Sequence, residues 1–460
     1  MKTKRPPIVT VLGHVDHGKT TLLDAIRKSN IAAREAGGIT QSIGASKIKT
    51  PQGSITFIDT PGHAAFSQMR SRGAKVADIA ILVVAASEGP MPQTKEALQF
   101  IREANIPMIV ALTKVDLANA NTDRVKGLLE AEGVFFEGRG GDTPAVEIAA
   151  REGKGIPELL ETIELISEVS EIAADPDGDL SALIIETNKD KSGVTASVIV
   201  REGTLAVGAD IATEGEKTRV RGLFDADGKP VKKAFPGDPV VLLGFVKTPH
   251  VGALVVPAHM AELLDARVDV KSQMSSEEGF RIVVKTATAG SLEALLPSLP
   301  KGVVVLSSGV GEVTESDIFF AKAAGARIFT FETKAPGSVL KLADQEGVKV
   351  ESFRVIYEMI KRLEEILAEG AIEILGKADI LAVFPFDGKR VAGSKMKNGR
   401  IRAKDMLTVM RGDKEVGRVR VESIRKGRDV VAEVREGEEC GILFNPQIAF
   451  AVGDVLLSVK

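Results

Sequence analysis

The chain has 460 residues, 44% of them hydrophobic and 27% charged, with a formal net charge of −3. That length exceeds one compact core and predicts about three or four domains of roughly 100–200 residues each. No apolar run reaches the roughly 18 residues of a membrane span. Cys440 is the single cysteine, which excludes an intrachain disulfide and suits a reducing compartment such as the cytoplasm.

The charged start Met1-Lys2-Thr3-Lys4-Arg5 precedes an apolar run, 8–12, that is too short for a signal-peptide core. Over the first 170 residues, strand-like runs at 8–12, 55–59, 79–85, 108–112 and 145–148 alternate with helical patterns such as 20–29 and 94–104. This alternation predicts a mainly parallel sheet covered on both faces, filling 1–175. Asp175-Pro176-Asp177-Gly178-Asp179 reads as a linker. Short β-branched runs and turn signals such as Phe235-Pro236-Gly237-Asp238 then predict a small β-barrel over 176–258.

A helical connector is expected at 260–271. It leads a small α/β/α sandwich within 259–350, with strands at 281–285, 303–306 and 328–331 and helices starting near Ser291 and Thr314 and after Gly337. Between 353 and 370, Ile356, Met359, Ile360, Leu363, Ile366 and Leu367 share one helical face, and Gly370 ends the pattern. This predicts a long connecting helix, 351–371. Residues 372–460 are strand-rich and are expected to form a C-terminal β-barrel. Gly203 and Gly237, and again Gly399 and Gly437, bracket similar strand-rich spacings, as two related barrels would. The fold class is therefore multidomain α/β plus β.

Charge is uneven along this chain. Residues 389–428 hold fourteen Lys/Arg against four Asp/Glu, a local excess of +10 that leaves −13 for the remainder. Such a block suits a phosphate-rich partner or a solvated sheet face.

The pattern G-x-x-x-x-G-K-[ST] matches at Gly13-His14-Val15-Asp16-His17-Gly18-Lys19-Thr20, after a predicted strand and before a predicted helix. Backbone N–H groups of such a loop close around phosphates. Lys19 faces the β/γ oxygens, and the Thr20 hydroxyl is a Mg²⁺ ligand. Asp59 ends a strand where a carboxylate holds Mg²⁺ through water, and the Gly62 N–H reaches a γ-phosphate. Thr40, in a loop after the first helix, completes the metal shell when that phosphate is present. Thr113-Lys114-Val115-Asp116 follows another strand. Asp116, an acceptor only when ionised, selects the two N–H donors on guanine's edge. These tetrads predict GTP/GDP and Mg²⁺ as ligands of a P-loop GTPase domain.

Residues 13–21 with Asp59-Thr60-Pro61-Gly62-His63 resemble the translational GTPases. Gly37-Gly38-Ile39-Thr40-Gln41, in place of the elongation factors' Arg-Gly-Ile-Thr, is similar to bacterial translation initiation factor two. Gly290-Ser291-Leu292-Glu293-Ala294 and Thr314-Glu315-Ser316-Asp317 resemble that family's third domain, and Arg435-Glu436-Gly437-Glu438-Glu439-Cys440-Gly441 its last. The match runs from residue 7 to 460, with most of the family's usual N-terminal extension missing.

The resemblance implies a ribosome-stimulated GTP phosphohydrolase that binds formylmethionyl initiator tRNA, places it on the small ribosomal subunit and promotes joining of the large one. It implies contacts with other initiation factors, no membrane, a monomer off the ribosome, and a bacterial cytoplasmic or organellar setting. His63 would orient the attacking water once the ribosome positions it, between the apolar gate residues Val15 and Ile39. The nucleotide would be held by Asp16, His17, Gly18, Lys19, Thr20, Thr21, Asp59, Gly62, Thr113, Lys114, Asp116, Ala149, Ala150 and Arg151, with a monovalent cation near Asp16. Arg425 and Lys426 correspond to basic positions of the initiator-tRNA pocket, and Glu439, Cys440 and Gly441 to its wall. With no Trp and only Tyr357 as tyrosine, base stacking is expected to be secondary to recognition of the tRNA backbone and its amino-acid end.

Two departures bear on affinity. Thr113 stands where the family has Asn, and Ala149-Ala150-Arg151 where it has Ser-Ala-Lys, so a weaker guanine pocket is expected. Two other classes stay open at this point. A selenocysteine-type elongation factor would bind aminoacyl-tRNA through a different C-terminal half. The GTPase subunit of sulfate adenylyltransferase shares the loop and a following barrel, but would lack the block 314–317 and the basic block.

Overall fold

Apolar runs flanked by amphipathic helices give the first part of the chain its layers. In this computed structural model, strands Gly44–Thr50, Gly53–Asp59, Ile8–Gly13, Ile79–Ala85, Met108–Thr113 and Ala145–Ile148 lie side by side in that order. Only the first pair is antiparallel. Helices α1 (Lys19–Arg27), α2 (Ser67–Val76), α3 (Pro92–Ala104), α4 (Thr122–Ala131) and α5 (Ile156–Val169) cover it. Two apolar clusters line its faces. One is built around Val9, Phe57 and Ile81 and the other around Leu12, Leu82 and Val110. The structure describes residues 1–27, 40–41, 43–190, 193–214, 216–263, 279–370, 374–386, 389–412, 414–427, 429–446 and 448–459.

The edge strand Gly44–Thr50 was not among the expected strands. It contains Lys47 and Lys49 and only one large apolar residue, Ile48. That composition protects a sheet edge but erases the hydrophobic signal of a strand.

Next in the chain, an eight-stranded antiparallel path that includes Ser181–Asp190, Gly193–Glu202 and Pro239–Phe245 forms a β-barrel around Ile184, Val198 and Leu242. The expected connector begins as a 3₁₀ helix, Ala258–Leu263, and the rest of 260–271 lies outside the described residues. A four-stranded parallel sheet follows in the order Val303–Val310, Phe280–Thr286, Arg327–Phe331, Val350–Phe353. It is packed by α6 (Ala289–Leu295), α7 (Glu315–Ala324) and α8 (Gly337–Glu346). Thr314 and Asp317 form a capping box that starts α7. Phe353 ends the last strand rather than opening the long helix, α9 (Ile356–Gly370).

Two compact units are present, Met1–Ile360 and Lys361–Lys460, with the chain continuous through α9. In the second, strands Ile374–Phe386, Val455–Val459, Met406–Arg411, Lys414–Lys426, Glu439–Asn445 and Lys389–Arg402 pair in turn. The last pairs back to the first, so the six close a barrel with no free edge in that ring. Among the described residues no helix is long and apolar enough to cross a membrane.

Candidate nucleotide site

The strand Ile8–Gly13 is buried throughout and delivers the chain to the loop before α1. At Gly13 φ is +149°, and a Cβ there would sit 2.3 Å from the Val83 carbonyl oxygen. Glycine alone lets the loop leave the sheet at this point. Asp16 and Lys114 hold φ values of 62° and 58° without that freedom, a local strain typical of ligand-binding loops. The loop and the neighbouring strand ends enclose a cleft of about 430 Å³.

Val15, Asp16, Gly18, Lys19, Thr20, Thr21, Thr40, Gly62, His63, Thr113, Lys114, Asp116, Ala150 and Arg151 all line this one cleft. His17, Asp59 and Ala149 are buried beneath it rather than lining it. The His17 imidazole is fully buried, and burial, reinforced by the nearby His14, lowers its pKa to about 4. It is neutral at physiological pH, so His17 brings backbone groups to the site and no charge. Ile39 lies outside the described residues.

Lys19 is almost fully buried and donates to the carbonyl oxygens of Gly13 (3.0 Å) and His14 (2.6 Å). Burial lowers its pKa to about 8, opposed by attraction to Asp59. An anionic phosphate beside the ammonium restores the opposite charge that burial takes away. Thr20 Oγ1 and Thr40 Oγ1 are 3.0 Å apart. Adjacent ligands of an octahedral ion with metal–oxygen distances of about 2.1 Å are about 3.0 Å apart, so this pair fits Mg²⁺.

His63 opens a short 3₁₀ turn, and its Nδ1 accepts from the Ala65 N–H at 3.3 Å. Burial, and then the nearby Arg70 charge, lower its pKa and keep the ring neutral. Arg70 itself was not anticipated. Its guanidinium is fully buried, donates to the carbonyl oxygens of Pro61 (3.1 Å) and His63, and pairs with Glu96 on α3 at 2.6 Å. Two bonds to loop carbonyl oxygens and one to Glu96 from one buried fork thus fix the path of the loop that carries Gly62 and His63. Leu117, which also lines the cleft, and Gln93, whose Oε1 accepts from the Val15 N–H at 3.0 Å, are further unanticipated members.

Thr113 is buried, and its hydroxyl donates to the His17 carbonyl oxygen at 2.6 Å. Thr113 therefore ties this strand end to the phosphate loop. What the hydroxyl lacks is a second donor for the base. Thr113→Asn is expected to tighten GTP binding about fivefold to tenfold, the worth of one added hydrogen bond. An unchanged dissociation constant in a titration with labelled GTP would rule that out.

A second cavity, about 470 Å³, opens on the C-terminal barrel. Arg425, Glu439, Cys440 and Gly441 line it together with Leu381, Phe384 and Phe386. Lys426 does not line it, because its ammonium pairs with Glu438 at 2.8 Å. Burial raises the Cys440 thiol to about 11, so it stays protonated and acts as a small apolar wall. Phe384 and Phe386 are two apart on one strand, share a face and are half exposed, and the Arg425 guanidinium lies 4.6 Å over Phe386. Counting Trp and Tyr missed this aromatic surface. The basic block is also less basic than its count. Asp379, Glu433, Glu438, Glu439 and Asp454, all outside 389–428, pair with Lys397, Arg402, Lys426, Lys395 and Arg411.

Family models match three stretches: an elongation factor Tu GTP binding domain over residues 4–168, an elongation factor G domain 2 over 179–256, and translation-initiation factor 2 over 260–364. Translation initiation factor IF-2 of Thermus thermophilus is 39% identical over 496 aligned residues, covering 98% of this chain and 86% of that protein. That of Acinetobacter baumannii is 39% identical over 477, covering 96% and 53%. The solved structure of GDP-bound aIF5B from Aeropyrum pernix is 27% identical, with 100% of this chain and 92% of that one covered, at a TM-score of 0.48.

Proposed function

We propose, for a chain that belongs to the translation initiation factor IF-2 family, that its initiation GTPase is coupled to capture of formylmethionyl initiator tRNA by the C-terminal barrel. The chain is a translation-initiation GTPase, and guanine nucleotide is its ligand. Identity of 39% across 98% of the chain sets aside the selenocysteine-type elongation factor and the sulfate adenylyltransferase subunit.

In this reading Lys19, Gly18, Thr21 and the loop backbone, including Asp16 and His17, hold the phosphates. Asp116 selects guanine, with Thr113, Lys114, Ala149, Ala150 and Arg151 framing the base. Thr20 and Thr40 would hold Mg²⁺ directly, and Asp59 through water. The ion, when bound, neutralises charge that builds on the phosphate oxygens. A monovalent cation is placed beside Asp16. His63 orients the attacking water, with Val15 and Ile39 as its apolar gate, and the ribosomal subunits trigger that step. We also divide the chain into 1–175, 176–258, 259–350, 351–371 and 372–460, and assign it to the cytoplasm of a bacterium.

The observation that carries the tRNA reading is the second cavity. Among the described lining residues, apolar Leu381 and Phe384, the protonated Cys440 and the cation Arg425, with the Glu439 carboxylate engaged by Lys395, suit a methionyl chain whose amine is blocked. A free α-ammonium beside Arg425 would meet like charge and lose solvation, whereas a formamide keeps only polar atoms to satisfy. The full chain is expected to bind formylmethionyl-tRNA at least about tenfold more tightly than methionyl-tRNA, and Arg425→Ala to lose about tenfold for the formylated form. Equal affinity for the two tRNAs would sink the assignment of this cavity.

A further inference from the structure

The first turn of α9 touches both loops that face the nucleotide. The Tyr357 ring centroid lies 4.1 Å from that of His63, with the planes tilted by 60°. One residue earlier, the Ile356 N–H donates to Gln41 Oε1 at 3.3 Å, and Gln41 Nε2 donates to the Arg354 carbonyl oxygen at 2.7 Å and to Glu332 Oε1 at 3.2 Å. Gln41 directly follows Thr40, whose hydroxyl meets Thr20. Glu332 is itself held in a left-handed conformation, φ 57°, and accepts from Ser291 Oγ at 2.9 Å.

The His63 ring is held by the Ala65 N–H, by the tilted Tyr357 ring and, edge-on, by Phe66. A neutral imidazole that accepts at Nδ1 carries its proton on Nε2. In that tautomer Nε2 has no lone pair with which to accept a hydrogen bond or a proton from water. To do either, the ring must leave the Ala65 N–H or exchange its proton. The tilted ring contact with Tyr357 opposes that movement.

We propose that Tyr357 is a positioning residue of the hydrolytic site, whose ring keeps His63 in this resting arrangement and so restrains GTP hydrolysis until the first turn of α9 moves. The proposal rests on the reading of His63 as the group that orients water. Gln41 makes the restraint sensitive to the loop that carries Thr40, because the same helical turn holds both.

Tyr357 is 48% exposed, so replacing it leaves the core intact. The test is single-turnover GTP hydrolysis by the full chain without ribosomes, alongside NMR of the His63 ring nitrogens. Tyr357→Leu is expected to raise the rate about two- to tenfold, the range an aromatic pair is worth, with GTP affinity unchanged and the nitrogen signals moved away from the Nε2–H form. Tyr357→Phe keeps the ring and is expected to restore both the slow rate and the signals. In a His63→Ala background, Tyr357→Leu is expected to leave the rate unaltered.

Wild-type rate and wild-type nitrogen signals in Tyr357→Leu overturn the proposal. A faster rate that persists without His63 overturns it too, since the ring would then act elsewhere. Ribosome-stimulated hydrolysis by His63→Ala separates the layers. If it is lost while Tyr357→Leu does nothing, only the restraint fails. If it is retained in full, the reading of His63 itself fails and the restraint falls with it.

Discussion

His63→Ala is expected to lower ribosome-stimulated GTP hydrolysis by about 10²- to 10⁴-fold, the range that a positioned proton-handling group supplies, with GTP affinity changed less than about threefold. The imidazole lines the nucleotide cleft, is kept neutral by burial and by Arg70, and lies at the loop tip that Arg70 braces. Phosphoryl transfer asks a protein chiefly to position the nucleophile and stabilise spreading charge. A neutral ring at this point serves the first need, and Lys19 the second. Removing the ring also deletes the Ala65 N–H acceptor, but the turn involved is only three residues long and its cap is worth about 1 kcal/mol. The loss should therefore appear in kcat on the ribosome and not in thermal stability. A variant that turns over GTP on the ribosome at the wild-type rate would remove His63 from the mechanism.

The legible parts of this molecule are those whose physics is local. The phosphate loop could be read because a buried strand, glycines at fixed offsets and a helix start must be contiguous in the chain. The first turn of α7 could be read for the same reason, since a capping box spans four residues. Arg70 could not. Its partners are two carbonyl oxygens and a glutamate on another helix, and a lone Arg in a polar helical pattern reads as a solvated face. Gln41 and Arg354 are 313 residues apart, so the contact that ties the loop carrying Thr40 to the segment just before α9 leaves no periodic trace. The charge block misled for a related reason. A window counts neighbours in the chain, whereas the acids that offset Lys395, Lys397, Arg402 and Arg411 come from other strands of the barrel and the turn before its last strand. Thr113 reads in the sequence as a weaker tie than an amide, but its hydroxyl spans to His17, a distance only the fold sets.

Gly62→Ala is expected to weaken GTP binding by about ten- to a hundredfold and GDP binding by less, because a displaced Lys19 loses charge-assisted contacts to β and γ oxygens of GTP but only to β oxygens of GDP. A Cβ at this position would lie 2.3 Å from Lys19 Nζ, 3.1 Å from Lys19 Cε and 3.2 Å from the Val15 amide nitrogen. Lysine tips usually yield cheaply to such a methyl group. This one cannot yield without cost to function, because its buried ammonium is confined by the Gly13 and His14 carbonyl oxygens and is, in the proposed reading, the cation that faces the phosphates. Displacing it moves charge away from the β/γ oxygens, while the Val15 contact resists the alternative of shifting the loop backbone. The fold should survive, since the strain is relieved by one side chain and Gly62 has an ordinary negative-φ conformation. Parallel titrations with GTP and GDP separate the two effects. Equal losses for both nucleotides would point to a distorted loop, and no loss for either would mean that Lys19 can be displaced without penalty.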